Sequence, residues 1–117
     1  MANDIKYRCY DFSVSVIRYL KKREWDSFSL IAVKQVMRSA MSIGANIVEA
    51  TNSSTRTEFK RYYEIALKSG NETKYWLCIL RDGFEVKDDE IANLLKECDE
   101  ITKILASSIL KLKKPDK

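Results

Sequence analysis

Apolar residues recur every three or four positions along nearly the whole chain, the spacing that gathers them on one face of an α-helix. Four such segments can be traced. The first carries Ile5, Cys9, Phe12, Val16, Tyr19 and Leu20, then runs into Lys21-Lys22-Arg23-Glu24. The second follows Asp26 or Ser27, either of which suits an N-cap, and reads Leu30, Val33, Val36/Met37, Ala40, Ile43/Gly44, Ile47 and Ala50. The third opens on Thr55-Arg56-Thr57-Glu58, a capping-box pattern with Thr at the cap and Glu three residues on. It continues through Phe59, Tyr62/Tyr63, Ala66, Ser69/Gly70, Thr73, Trp76/Leu77 and Leu80, and Asp82-Gly83 should stop it. The fourth follows Asp88 with Ile91, Leu94/Leu95, Cys98, Ile101, Leu105, Ile109 and Leu112.

These seams are near-heptad, so the helices should pack almost antiparallel. The polar strings between them are short, which favours neighbours joined up-down-up-down. The expectation is an all-α, antiparallel four-helix bundle in one domain, with helices over about 5–22, 27–52, 56–82 and 88–113. Composition agrees, because three glycines and a single proline, Pro115, are too few for the turns of a sheet-rich fold.

Some apolar residues fall on or beyond the edges of the core stripes. They are Tyr10, Val14, Ile17, Trp25, Phe28, Leu67, Tyr75, Ile79 and Ile104. A monomer would expose several of them, and contiguous exposed apolar surface marks interfaces, so a homo-oligomer is expected.

The chain contains no histidine, which removes the commonest general base and the commonest transition-metal ligand. No carboxylate pair stands out from ordinary helix-surface charge, and no cofactor or metal motif is present. The expected function is therefore non-enzymatic, without catalytic residues, metal or cofactor. Three cysteines, Cys9, Cys78 and Cys98, lie among apolar neighbours and read as buried free thiols. No signal pattern and no long apolar run suggest a membrane, and reduced cysteines suit the cytoplasm.

The net charge of +4 is unevenly spread: +6 over residues 1–81, −6 over 82–100 and +4 over 101–117. Up-down-up-down folding would bring the start of the first helix, the turn between the second and third, and the end of the fourth to one pole. That pole would collect Lys6, Arg8, Arg56, Lys60, Arg61, Lys111, Lys113, Lys114 and Lys117 against Asp4, Glu49, Glu58 and Asp116, a footprint that suits RNA or DNA phosphates. Arg56, Lys60, Arg61, Lys111, Lys113 and Lys114 are the candidate nucleic-acid-binding residues. The competing reading is a protein-interaction scaffold with no nucleic-acid contact.

Four polar residues lie on or near the apolar stripes: Arg38, Asn46, Glu49 and Glu72. Counted back from the intervening turn, Arg38 and Glu72 sit at depths that match within a few ångström at about 1.5 Å per residue. They should form a partly buried ion pair that sets helix register. Asn46 and Glu49, three apart, should share a face nearer the turn, to cap it or to pair with Arg56.

Over this same region the chain resembles a known family. Arg38-Ser39-Ala40-Met41-Ser42-Ile43-Gly44-Ala45-Asn46-Ile47-Val48-Glu49-Ala50 is similar to the second-helix signature of the 23S rRNA intervening-sequence proteins. Arg56 and the stretch from Glu58 to Glu72 resemble that family's third helix. Ala50 stands where the family usually has glycine, and Lys68-Ser69 where it tends to have Gly-Ser. The resemblance implies a four-helix bundle, often a ring-like homopentamer, with no catalytic residues to carry over. It also relates the chain to accessory variability proteins of diversity-generating retroelements, which implies a reverse transcriptase or other protein, and nucleic acid, as partners.

Overall fold

The computed structural model describes residues 4–113. It contains α1 (Asp4–Leu20), α2 (Ser27–Thr51), α3 (Arg56–Gly83) and α4 (Asp89–Lys113). The second, third and fourth helices each begin where a short polar side chain can satisfy their free N–H groups. The Asp26 carboxylate accepts from the Ser29 N–H at 2.7 Å and Thr55 Oγ1 from the Glu58 N–H at 3.1 Å. Asp88 Oδ1 accepts from the Ile91 N–H at 2.8 Å. Glu58 turns back in the manner of a capping box, although its carboxylate meets the Ser54 N–H at 3.3 Å rather than that of Thr55.

The helices form a square in which α1 packs on α2 and α4, α3 packs on α2 and α4, and the longest interface joins α2 to α3. The bundle measures 53 × 23 × 21 Å. Its interior is the expected set of seam residues, with Phe12, Ile43, Leu77, Ile101 and Leu105 among the largest side chains fully buried.

The α2–α3 seam owes its closeness to small hydroxyl side chains. Ser39 and Thr73 are wholly buried, with their hydroxyl oxygens 2.9 Å apart, and Ser42 and Ser69 meet at 2.8 Å. Thr73 also reaches the Ser69 carbonyl at 2.7 Å, and Ser39 the Gln35 carbonyl at 2.8 Å. Among the described residues no buried side-chain nitrogen or oxygen lacks a partner, so the internal hydrogen bonds of this strip offset the cost of desolvating it.

Between α3 and α4 the chain turns differently from the Asp-Gly stop. Gly83 is still helical, and the left-handed residue is Glu85, at φ 60°. The Phe84 N–H donates to the Ile79 carbonyl and the Val86 N–H to the Leu80 carbonyl, and Val86 is buried beneath the turn.

At this end of the bundle Tyr19 Oη donates to the Asp88 carboxylate, at 2.9 Å from Oδ2, tying the end of α1 to the cap of α4. Burial first, then this hydrogen bond, pushes the Tyr19 phenol above the ordinary tyrosine range. The stability so gained is complete below the unfolded value of about 10 and is lost as pH rises toward the higher folded one. Tyr19→Phe is therefore expected to flatten the fall of stability above pH ~10, as read by denaturant midpoints across a pH series. An unchanged slope would contradict this.

The cysteines divide two to one. Cys9 and Cys98 are buried, and desolvation pushes both thiols up to about 12. Cys98 Sγ donates to the Gly70 carbonyl at 3.3 Å, whereas Cys78 is half-buried. A thiol-specific alkylating reagent is expected to modify Cys78 alone in the native protein. Peptide mapping that found Cys9 or Cys98 modified at the same rate would refute this packing.

Candidate nucleic-acid interface

The basic end is built by the first turns of α3 and the last turns of α4. Arg56, the first residue of α3, donates from Nη2 to the Leu112 carbonyl at 3.1 Å. That contact satisfies one of the otherwise free carbonyls at the end of α4 and places the guanidinium at the negative end of its dipole. Arg56 is thereby a fastener between the two helices as well as a charge. Arg61, Lys111 and Lys113 are exposed and Lys60 is half-buried. Lys114, Asp116 and Lys117 lie outside the described residues.

Sequence reasoning missed Lys68. It is exposed and lines, with Lys113, Asn71 and Glu64, a groove of about 310 Å³ between α3 and α4. The signal was available, because Lys68 follows Arg61 by one heptad and must share its face. Lys68 and Lys113 thus meet at this groove together with Glu64, and Arg61 lies one heptad before Lys68 on the same helix face.

Arg8 does not belong to the pole. It sits against the middle of α4, where Nε donates to Glu97 at 2.6 Å and Nη2 to Glu100 at 2.5 Å. These two hydrogen bonds hold its pKa above the ordinary arginine value. The reason is stagger. α4 runs 13 residues past Glu100 to Lys113, about 20 Å, whereas α1 begins only four residues before Arg8. At the far end of the bundle local pairs join Lys22 with Glu90 at 2.6 Å and Arg81 with Asp82 at 2.8 Å.

The expected polar core is corrected as well. Arg38 and Glu72 do meet across α2 and α3, but Arg38 is 56% exposed and Glu72 35%. Gln35 Oε1 accepts from Arg38 Nε at 3.0 Å, and Trp76 Nε1 donates to Glu72 at 3.2 Å. A surface pair of this kind contributes about 0–1 kcal/mol. Asn46 donates back to its own helix, to the Ser42 carbonyl at 2.8 Å, and Glu49 is exposed. Long charged side chains reach out of the seam to water, and the interior at this level belongs to the serines and Thr73. Among the described residues no group of three His, Cys, Asp or Glu side chains could hold a metal ion. No helix there is long and apolar enough to cross a membrane.

Fold and charge together define a small antiparallel four-helix bundle with one basic end. The chain belongs to the family of 23S rRNA-intervening sequence proteins, whose profile matches residues 2–107. It is also similar to a crystal structure from Bacteroides thetaiotaomicron, described as a protein of unknown function from the S23 ribosomal protein family. The two superpose with a TM-score of 0.79 at 33% identity, covering 90% of this chain and 97% of that one. No curated protein matches.

Proposed function

We propose that the protein is a non-enzymatic accessory factor that binds RNA or DNA phosphates at its basic end and works as a homo-oligomer. The observation that supports the first half is the groove between α3 and α4 where Lys68 and Lys113 meet, beside the contact of Arg56 with the Leu112 carbonyl. Backbone binding of this kind recognises charge rather than sequence. The family description, which names an rRNA sequence, supports an RNA setting.

Four phosphate contacts would give a slope of about −3.6 in log K against log salt for duplex DNA, and about −2.8 for a single strand. Lys60→Glu, Arg61→Glu, Lys111→Glu and Lys113→Glu combined are expected to abolish measurable binding in a fluorescence titration with an RNA hairpin and a DNA duplex. Arg56 is left intact so that the fold is not disturbed. Binding that survives this variant, or that ignores salt, defeats the proposal.

Self-association rests on apolar side chains that the bundle leaves in water. Phe28 is 74% exposed and Ile31 64% on α2, and Tyr75 is 58% exposed on α3. Sedimentation equilibrium at micromolar concentration is expected to report a multiple of 13.6 kDa. A monomer mass rules out that half.

A further inference from the structure

Arg8 and Arg38, neither of which joins the basic end, set the charge of another face. Over 60–74 of α3 and 99–113 of α4 the acidic side chains are Glu64, Glu72, Asp99 and Glu100. Arg38 of α2 pairs with Glu72, and Arg8 of α1 with Glu100 at 2.5 Å, so two of these acids are held at other faces of the bundle. The face between α3 and α4 keeps Glu64 and Asp99 against Lys60, Lys68, Lys74, Lys103 and Lys113. Lys68 and Lys113 line its groove with Glu64, and Lys60 shares the face of Glu64 at i, i+4. Lys74 and Lys103 meet on Asp99.

Asp99 marks the inner part of this face. One carboxylate oxygen lies 3.4 Å from Lys74 Nζ and the other 3.0 Å from Lys103 Nζ, so each helix supplies one ammonium. Those contacts, Lys103 first and then Lys74, keep the Asp99 carboxyl below the usual carboxylate range. Lys74 Nζ also donates to Thr102 Oγ1 at 3.2 Å, which fixes the ammonium over α4. An ammonium has three N–H donors, so Asp99 and Thr102 leave Lys74 one for a further acceptor. Asp99 is 45% exposed, and two cations that converge on an open carboxylate can exchange it for a phosphate oxygen.

The lysines run lengthwise. Asn71 lines the groove and precedes Lys74 by three residues, so the Asp99 cluster continues the groove inward. Lys60 to Lys74 spans about 21 Å along α3, and Lys103 to Lys113 about 15 Å along α4. A stacked strand rising about 3.4 Å per nucleotide sets about six phosphates along 21 Å. An acidic protein would find charge here without an apolar anchor, because the apolar lining, Leu67 and Ile109, is drawn into the bundle. A repeating phosphate chain needs only the charges. Phe28 and Ile31, assigned above to self-association, lie on α2 and not on either helix of this groove. Tyr75 is on α3 but leaves it about 100° round from Lys74.

We propose that a phosphodiester strand lies lengthwise in the α3–α4 groove, held by Lys60, Lys68 and Lys113 at the basic end and by Lys74 and Lys103 farther in, where a phosphate displaces Asp99. The inference rests on the basic-end reading and extends it: the strand continues inward between two helices instead of stopping at the pole. Asp99 is an internal competitor for the two inner lysines, and it weakens binding of any strand that must replace it.

The probes are a labelled single-stranded RNA of about 12 nucleotides and a DNA duplex of about 12 base pairs, titrated with full-length protein by fluorescence anisotropy over a salt series. Lys74→Gln with Lys103→Gln removes two phosphate contacts. The slope of log K against log salt is expected to become shallower by about 1.4 for the single strand and about 1.8 for the duplex. Affinity at ~0.1 M salt should fall ~10-fold or more. The probe whose slope shifts tells an unpaired strand from a duplex as the ligand. Lys21→Gln with Lys34→Gln removes the same charge from exposed positions outside the groove and should change affinity less than ~2-fold. Asp99→Asn keeps the shape and removes the competitor, so binding should tighten ~3-fold or more, a gain that damage to the fold cannot produce. Asp11→Asn adds the same charge on α1 and should leave affinity within ~2-fold.

The proposal is overturned if Lys74→Gln with Lys103→Gln binds like the wild type, or if Asp99→Asn binds no more tightly. Should the four-glutamate variant of the basic end still lose binding, the basic-end reading stands and only the inward track is removed. A wild-type protein that binds neither probe removes both. A polyglutamate peptide that displaces the RNA at equal charge, and weakens on Lys74→Gln with Lys103→Gln, also overturns the proposal and makes the groove a site for an acidic protein.

Discussion

Phe12→Ala is expected to lower the unfolding free energy by about 3–5 kcal/mol, the largest stability effect of any single substitution considered for this protein. Phe12 is 2% exposed and is the largest fully buried side chain among the described residues. It projects from the shortest helix, α1, which has 17 residues. A cavity at this point weakens the attachment of α1 to the rest of the bundle. Domains of this size are stable by about 5–15 kcal/mol, so the variant should be close to its folding limit. Urea unfolding followed by far-ultraviolet circular dichroism measures the effect. Tyr10→Ala, two residues earlier but 66% exposed, provides the contrast and should cost no more than ~0.5 kcal/mol. Similar losses for the two would contradict the assignment of one stripe of α1 to the core and the other to the surface.

The second expectation concerns the approach of α3 to α4. A Cβ built on Gly70 would lie 2.5 Å from Thr102 Cγ2, too close to be tolerated. Thr102 cannot easily yield. It is 4% exposed, its hydroxyl donates to the Asp99 carbonyl at 2.9 Å, and Lys74 Nζ lies 3.2 Å from the same oxygen. Gly70→Ala gains about 1 kcal/mol in helix propensity, but overpacking costs about 1–3 kcal/mol. A net loss is expected, read as a lower urea midpoint. Thr102→Ser removes the clashing methyl and keeps the hydroxyl, so in the Gly70→Ala background it should restore stability. A double-mutant cycle then gives a coupling of opposite sign to the single effect. If Thr102→Ser gives no rescue, the close approach is not what makes glycine necessary at position 70.

Lys68 is exposed, whereas its neighbours Ser69 and Gly70 are packed into the bundle. Lys68 is thereby free to face the α3–α4 groove beside Lys113.

How much of this could be read beforehand follows from the range of each interaction. The helices and their caps depend on contacts three or four residues apart, and Asp26, Thr55 and Asp88 were legible as caps for that reason. The core seams were legible because periodicity alone states which side chains share a face. The basic end was legible in part: chain order brings Arg56 toward Lys111 and Lys113 in any up-down-up-down bundle. Arg8 was misplaced because nothing local states how far α4 overruns α1. Arg38 and Glu72 were correctly paired in height and wrongly given depth, since height counts residues and depth depends on how each helix is rotated. An apolar trough between α1 and α2, lined by Tyr10, Val14 and Ile17, was visible only as leftover apolar residues. Its floor depends on Gly44 and Ala45 of α2 lying beside Ser13 of α1, a juxtaposition about 30 residues apart in sequence.

The amino-acid sequence by itself determined the four helices, their limits to within a few residues, the interior stripe of each, and the family. All of these rest on short-range hydrogen bonding and a helical repeat that the chain carries locally. Only the tertiary structure decided the stagger that sends Arg8 to Glu97 and Glu100, and the rotation that turns Arg38 outward. It alone set the left-handed turn at Glu85, the contact that requires Gly70, and the open trough along α1 and α2. Stagger and rotation are settled by the packing of all four helices at once, where a shift of one residue exchanges many contacts for others of nearly equal strength.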